Sequence, residues 1–193
     1  MFSFGKNKKI RVTSENMHLF LWRYDKYESL IKLAKWDCFV AGYIFGRIRG
    51  LLRLEFGHFA EGNDIIKVYK LVFGDCDGMK MCDFVSKIRI YKEALFGGNF
   101  ESYPMSSPTY NTFDFDRGFE LSTKALLSMT NLEDCHSIPE YEDAEKYTLE
   151  TNLAGHILDP LETGGYFHVM IVSFFEKKWF HEHVEKQIEL FRI

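Results

Sequence analysis

Apolar residues recur at alternating steps of three and four along much of the chain, which is the spacing of one face of an α-helix. The longest series predicts one continuous helix through residue 52, with Asp25 and Glu28 at capping-box spacing at its start. Its members are Ile31, Ala34, Cys38, Ala41, Phe45, Ile48 and Leu52. A second helical series, Cys82, Val85, Ile88, Tyr91 and Leu95, is followed by Gly97 and Gly98, which favour a helix end.

Three other segments have weaker patterns. The first 12 residues carry several lysines and are expected to form a basic N-terminal arm or a short strand, with a helix beginning near Ser14. Residues 65–73 mix β-branched and aromatic residues, so they fit a strand or a helix. Residues 166–175 leave the same two alternatives open, and a helix is favoured there.

The second half of the chain begins with residues 99–114, which contain two prolines and are expected to form the longest loop. A helix is predicted over residues 116–129. Another should follow Ser137 and Glu140, which form a capping box, and end near Gly155. Together the patterns predict a mainly α fold, a single compact domain of about six helices over residues 1–193, with a small β element if an ambiguous segment is a strand.

Gly42, Gly46 and Gly50 repeat every four residues within the longest predicted helix. Each interior glycine costs a helix about 0.8–1 kcal/mol relative to alanine. The repeat therefore favours close packing of a second helix against this face. The alternatives are a ligand groove floored by the glycines and a helix that ends early.

Composition narrows the classes of protein to consider. The chain has 193 residues, 46% of them apolar, with four prolines, as expected for a folded domain. Its net charge of −4 does not favour binding to nucleic acid or to an anionic membrane. No apolar run approaches the roughly 20 residues of a membrane span, and none follows the first charged residues as in a secretory signal. We therefore expect a cytoplasmic protein.

The four cysteines lack the spacing of a disulfide framework or a zinc site, so free, buried thiols are expected. His181 and His183 are two residues apart and would point to opposite sides of a helix, where they cannot share a metal ion. The aspartates of residues 75–83 lack the spacing of a calcium-binding loop. No metal and no cofactor are predicted.

Acidic residues dominate between residues 133 and 150, and two tyrosines lie among them. Complementary charge steers association with a basic partner, while aromatic rings supply anchoring contacts. The alternative is that these acids merely solvate an exposed helix. The predicted partner-binding residues are Glu133, Asp134, Glu140, Tyr141, Glu142, Asp143, Glu145 and Tyr147.

Three classes of function follow from these patterns. The first, which the patterns favour, is a protein-interaction or inhibitory protein, for example an immunity protein that blocks a basic toxin or effector through the acidic segment. The second is a helical domain that binds a small molecule or lipid, suggested by the phenylalanine-rich segments and the glycine repeat. The third, an enzyme, would use an unrecognised site around His156, Asp159, His168 and His181. No catalytic motif is present, so a non-enzymatic role is favoured.

Overall fold

A computed structural model describes residues 3–22, 26–58, 60–97, 110–127, 142–143, 146 and 174–193. Within these ranges the backbone forms seven α-helices and no strand: α1 (Ser3–Trp22), α2 (Tyr27–Leu33), α3 (Cys38–Phe56), α4 (Gly62–Phe73), α5 (Asp75–Gly97), α6 (Thr112–Leu127) and α7 (Glu182–Phe191). A π-helical stretch, Lys177–His181, leads directly into α7. The mainly α prediction is confirmed. Among the described helices, none combines the length and apolarity needed to cross a membrane.

Helix α3 lies at the centre of the fold. Every residue from Cys38 to Ile48 is buried, and helices α1, α2, α4, α5 and α6 all pack against it. A helix that is covered on all sides must be apolar around most of its circumference. This is why the apolar residues of α3 extend well beyond a single stripe.

The long helix predicted from the first apolar series is in fact two helices, α2 and α3, separated by residues 34–37. The backbone N–H of Val40 donates to the Asp37 side chain at 2.8 Å, so Asp37 is the N-cap of α3. The prediction was wrong here because Ala34 and Cys38 keep the helical spacing of three and four across the break. Apolar periodicity alone does not detect a turn that preserves it.

The prediction of a basic N-terminal arm was also wrong, because residues 3–12 belong to α1. Ile10 is buried in the core, two helical turns before the buried Met17. Lys6 lies 3.1 Å from both the buried Asp64 and the exposed Glu61 of the α4 region. The lysines of this segment therefore lie on a helix that packs against the rest of the molecule.

The glycine repeat of α3 packs against a second helix, as predicted, and that helix is α6. A β-carbon added to Gly46 would lie 2.8 Å from the carbonyl oxygen of Phe119, and one added to Gly50 would lie 2.5 Å from Leu126 Cδ1. A β-carbon on Gly42 would overlap the carbonyl oxygen of Phe115. The face is filled by another helix, so it is not the floor of a ligand groove.

The first ambiguous segment, residues 65–73, lies in α4 and is helical. Val68, Tyr69 and Val72 are buried at helical spacing where α4 packs against α1 and α5. Of the second ambiguous segment, residues 166–175, only Phe174 and Phe175 are described, and both are helical.

Two helices start earlier than predicted. Helix α5 begins at Asp75, where a turn was expected, because Gly74 alone makes the connection to α4 with φ +80°. Its end at Gly97 agrees with the prediction. Helix α6 begins at Thr112, inside the expected loop, and the Asn111 side chain accepts the N–H of Asp114 at 3.1 Å. The helix predicted to follow Ser137 lies largely outside the described residues.

Candidate functional site

Only part of the predicted acidic surface is described. Glu142 and Asp143 are helical and exposed, and Asp143 Oδ2 lies 3.4 Å from Lys178 Nζ. The remaining predicted partner-binding residues lie outside the described ranges: Glu133, Asp134, Glu140, Tyr141, Glu145 and Tyr147. The acidic surface as a whole remains a prediction.

The histidines near the C-terminal helix have structural partners. His183 Nε2 lies 3.3 Å from Asp37 Oδ2, and its ring centroid is 4.2 Å from that of Phe39. His181 lies half-buried in the π-helical stretch. The other members of the third hypothesis, His156, Asp159 and His168, lie outside the described residues. Within the described ranges, no three His, Cys, Asp or Glu side chains are placed to share a metal ion.

The three described cysteines are free thiols in different surroundings. Cys38 is buried and Cys82 is half-buried, and burial raises the pKa of each thiol to about 11. Cys76 is exposed, so the expectation of buried thiols was wrong at that position. Cys135 lies outside the described residues.

The arginines of α3 do not form one surface. Arg47 is buried and forms an ion pair with the equally buried Glu176, and its guanidinium lies 4.3 Å from the centroid of the Phe20 ring. Arg49 is half-buried and Arg53 is exposed. Because successive residues of a helix point in different directions, Arg47 enters the core while Arg49 turns toward α5 and α6.

Arg49 lines a surface cavity of about 360 Å³, which we call the arginine groove. Helices α3, α5 and α6 form its walls. Its cations are Arg49, Arg89 and Lys92, and its rings are Phe45, Phe115 and Phe119. Two acidic residues, Glu93 and Asp116, also line it. Asp116 Oδ2 is 2.6 Å from Lys92 Nζ, so these two groove residues form an ion pair with each other.

The two groove arginines lie over aromatic rings. The guanidinium of Arg49 is 5.9 Å from the Phe119 ring centroid, and that of Arg89 is 5.7 Å from the Phe45 centroid. Such cation–π contacts are favourable. Burial lowers the pKa of Arg49, and the nearby positive charges of Arg89 and Arg53 lower it further. The lining of the groove thus carries three cations and two carboxylates.

This groove was not predicted from the sequence. It requires Arg49 and Arg89, which are 40 positions apart in the sequence and come together only because α5 packs against α3. The available signal was the spacing of cations by three or four residues within each helix, Arg49 with Arg53 and Arg89 with Lys92. That spacing predicts a basic face on each helix but does not say that the faces adjoin.

No protein-family model matches this chain, and the searches found no similar curated protein or solved structure.

Proposed function

We propose that this protein is a helical binding domain that takes up the oxyanion of a small ligand, a phosphate or a carboxylate, in the arginine groove. This corresponds to the second of the three classes expected from sequence. The observation that carries the proposal is the placement of Arg49 and Arg89, from two helices, around one cavity with rings behind both guanidinium groups.

The chemistry of arginine supports an oxyanion as the ligand group. A guanidinium is planar and donates parallel N–H bonds that match the two oxygens of a carboxylate or phosphate. A ring against the face of a guanidinium does not occupy the N–H groups at its edge. An anion between Arg49 and Arg89 would also offset the repulsion that these charges exert on each other.

The test is a calorimetric titration with inorganic phosphate at low and high salt. We expect binding that weakens as salt screens the charges. Arg89→Gln should weaken it roughly 10- to 150-fold, because a hydrogen bond to a charged group contributes about 1.5–3 kcal/mol. Arg11→Gln is the matched control, since Arg11 is an exposed arginine on α1 paired with Glu15. Equal affinity for phosphate in Arg89→Gln and Arg11→Gln would refute the proposal.

A second candidate function is the docking of a basic protein partner onto the acidic segment, as an inhibitor or immunity protein would require. The exposure of Glu142 and Asp143 favours it. The test is affinity capture from the native cells with the natural chain, Glu142→Lys and the control Glu185→Lys, whose site is exposed on α7. A basic protein retained by the natural chain and the control, and lost by Glu142→Lys, would support this function. Retention by all three chains would contradict it.

A further inference from the structure

A second, smaller cavity adjoins the arginine groove. Its volume is about 100 Å³, and it lies between α4 and α5. Phe45 and Arg89 line both cavities, so the two are neighbours across these side chains. The anion site therefore adjoins a pocket of different character.

The lining of this second cavity is mainly apolar, with Ile65, Val85 and Cys82 among its members. Cys82 contributes a neutral thiol at physiological pH, because burial raises its pKa to about 11. Tyr69 also lines the cavity and is 1% exposed. Its hydroxyl has no hydrogen-bond partner within the described residues. Buried hydroxyl groups usually have such a partner.

We infer that the ligand of this protein is an amphipathic anion, whose oxyanion binds Arg49 and Arg89 and whose short apolar group occupies the cavity between α4 and α5. This inference rests on the proposed function and specifies the ligand class of the same site. An engineered cavity of about 150 Å³ admits benzene, so a cavity of about 100 Å³ suits a group of about four carbons. A hydroxyl at the end of that group would give Tyr69 a partner.

The test uses calorimetry with inorganic phosphate and a series of primary alkyl phosphates, from methyl to octyl. Affinity should rise about fourfold for each methylene up to butyl, and then level off as the cavity is filled. The matching alkyl carboxylates, in the same titration, identify which oxyanion the groove prefers. A terminal hydroxyl on the butyl group should increase affinity in the natural chain but not in Tyr69→Phe.

Two variants separate the inference from the proposed function. Cys82→Leu, which adds bulk to the cavity wall, should retain phosphate binding and lose the dependence on chain length. If circular dichroism shows that it fails to fold, Ser86→Leu at the exposed edge of the same cavity replaces it. Arg89→Gln should weaken every member of the series.

The possible failures are distinguishable. If phosphate binds and the alkyl phosphates bind no more tightly, the amphipathic ligand is excluded while the anion site stands. If neither phosphate nor any alkyl phosphate or carboxylate binds, both the proposed function and this inference are wrong. An unchanged chain-length dependence in folded Cys82→Leu would also overturn the inference.

Discussion

The carbonyl oxygen of Phe115 occupies the position that a β-carbon on Gly42 would take. The contact is reciprocated, because a β-carbon on Gly118 of α6 would overlap the carbonyl oxygen of Phe39 on α3. The two helices therefore approach backbone to backbone, and their glycines allow that approach. This packing also fixes Phe115 and Phe119 of α6 beside Phe45 of α3, where they line the arginine groove.

Gly42→Ala is expected to destabilise the protein by about 1–3 kcal/mol, because the new methyl group must displace backbone. The helix propensity of alanine acts in the opposite direction, so a net loss identifies the steric effect. Gly5→Ala is the control, since nothing lies within 4 Å of a β-carbon at that position in α1. It should be neutral or stabilising by up to about 1 kcal/mol. Urea denaturation measures both, and equal stabilities of the two variants would contradict the close approach.

The ion pair of Arg47 and Glu176 should be costly to break. Their side chains are 7% and 2% exposed, so removal of one charge leaves the other buried. Glu176→Gln is expected to lower the free energy of unfolding by about 3–5 kcal/mol. The double variant Arg47→Met and Glu176→Leu should recover much of that loss, since an apolar pair of similar volume avoids burial of charge.

The control for this pair is Glu120→Gln, which removes an exposed ion pair with Lys124. It should change the free energy of unfolding by less than about 1 kcal/mol. Chemical denaturation measures all of these chains. A double variant no more stable than Glu176→Gln would show that the two charges are not energetically coupled.

Parts of this fold were predictable because they depend on residues close in sequence. Gly97 ends α5 where the pattern placed the end. The glycine repeat predicted a helix–helix contact without identifying α6 as the partner. Apolar periodicity says which face of a helix is buried but not which other helix covers it.

The features that were not predicted depend on which helices pack against each other. The break before Cys38 preserves the apolar spacing, and only Asp37, an ordinary N-cap residue, marks it. The arginine groove depends on α3, α5 and α6 meeting at one place. Arg47 resembles Arg49 in sequence context, yet one is buried with Glu176 and the other lines the groove.

Substitutions at Asp37 should separate its two roles. One carboxylate oxygen accepts the N–H of Val40, and the other lies 3.3 Å from His183. Asp37→Asn keeps a good capping oxygen and should cost less than Asp37→Ala, which also loses the cap at about 0.5–2 kcal/mol. Thermal and urea denaturation of both variants measure the difference. Equal losses in the two variants would mean that the cap contributes nothing to the stability of α3.

The free energy of unfolding should fall as the pH rises above about 9. Burial raises the pKa of Cys38 from 9.0 to about 11, so between these values the unfolded chain releases the proton first. The folded state then binds more protons than the unfolded state, and stability decreases with pH. Burial also raises the pKa of Tyr69, which extends the effect to higher pH. Urea denaturation between pH 7 and pH 11 measures it, and a constant or rising stability would contradict the shifts.

The cysteines should differ in reactivity toward iodoacetamide. Only the thiolate reacts, and a pKa of about 11 for Cys38 and Cys82 instead of 9.0 reduces their thiolate fraction near neutral pH roughly 100-fold. Cys76 is exposed and should be modified before Cys38 and Cys82. Mass spectrometry of peptides after timed alkylation at pH 8 locates each modification. Modification of Cys82 as fast as that of Cys76 would show that Cys82 is more accessible than its contacts imply.

The same measurement provides a second readout of the ligand cavity. Butyl phosphate at saturating concentration should slow the modification of Cys82, which lines the cavity, and leave the rate at Cys76 unchanged. Inorganic phosphate should protect neither thiol, because it reaches only the arginines. The comparison of the two probes therefore reports occupancy of the apolar cavity independently of binding at the anion site. Equal rates at Cys82 with and without butyl phosphate would place the alkyl group elsewhere.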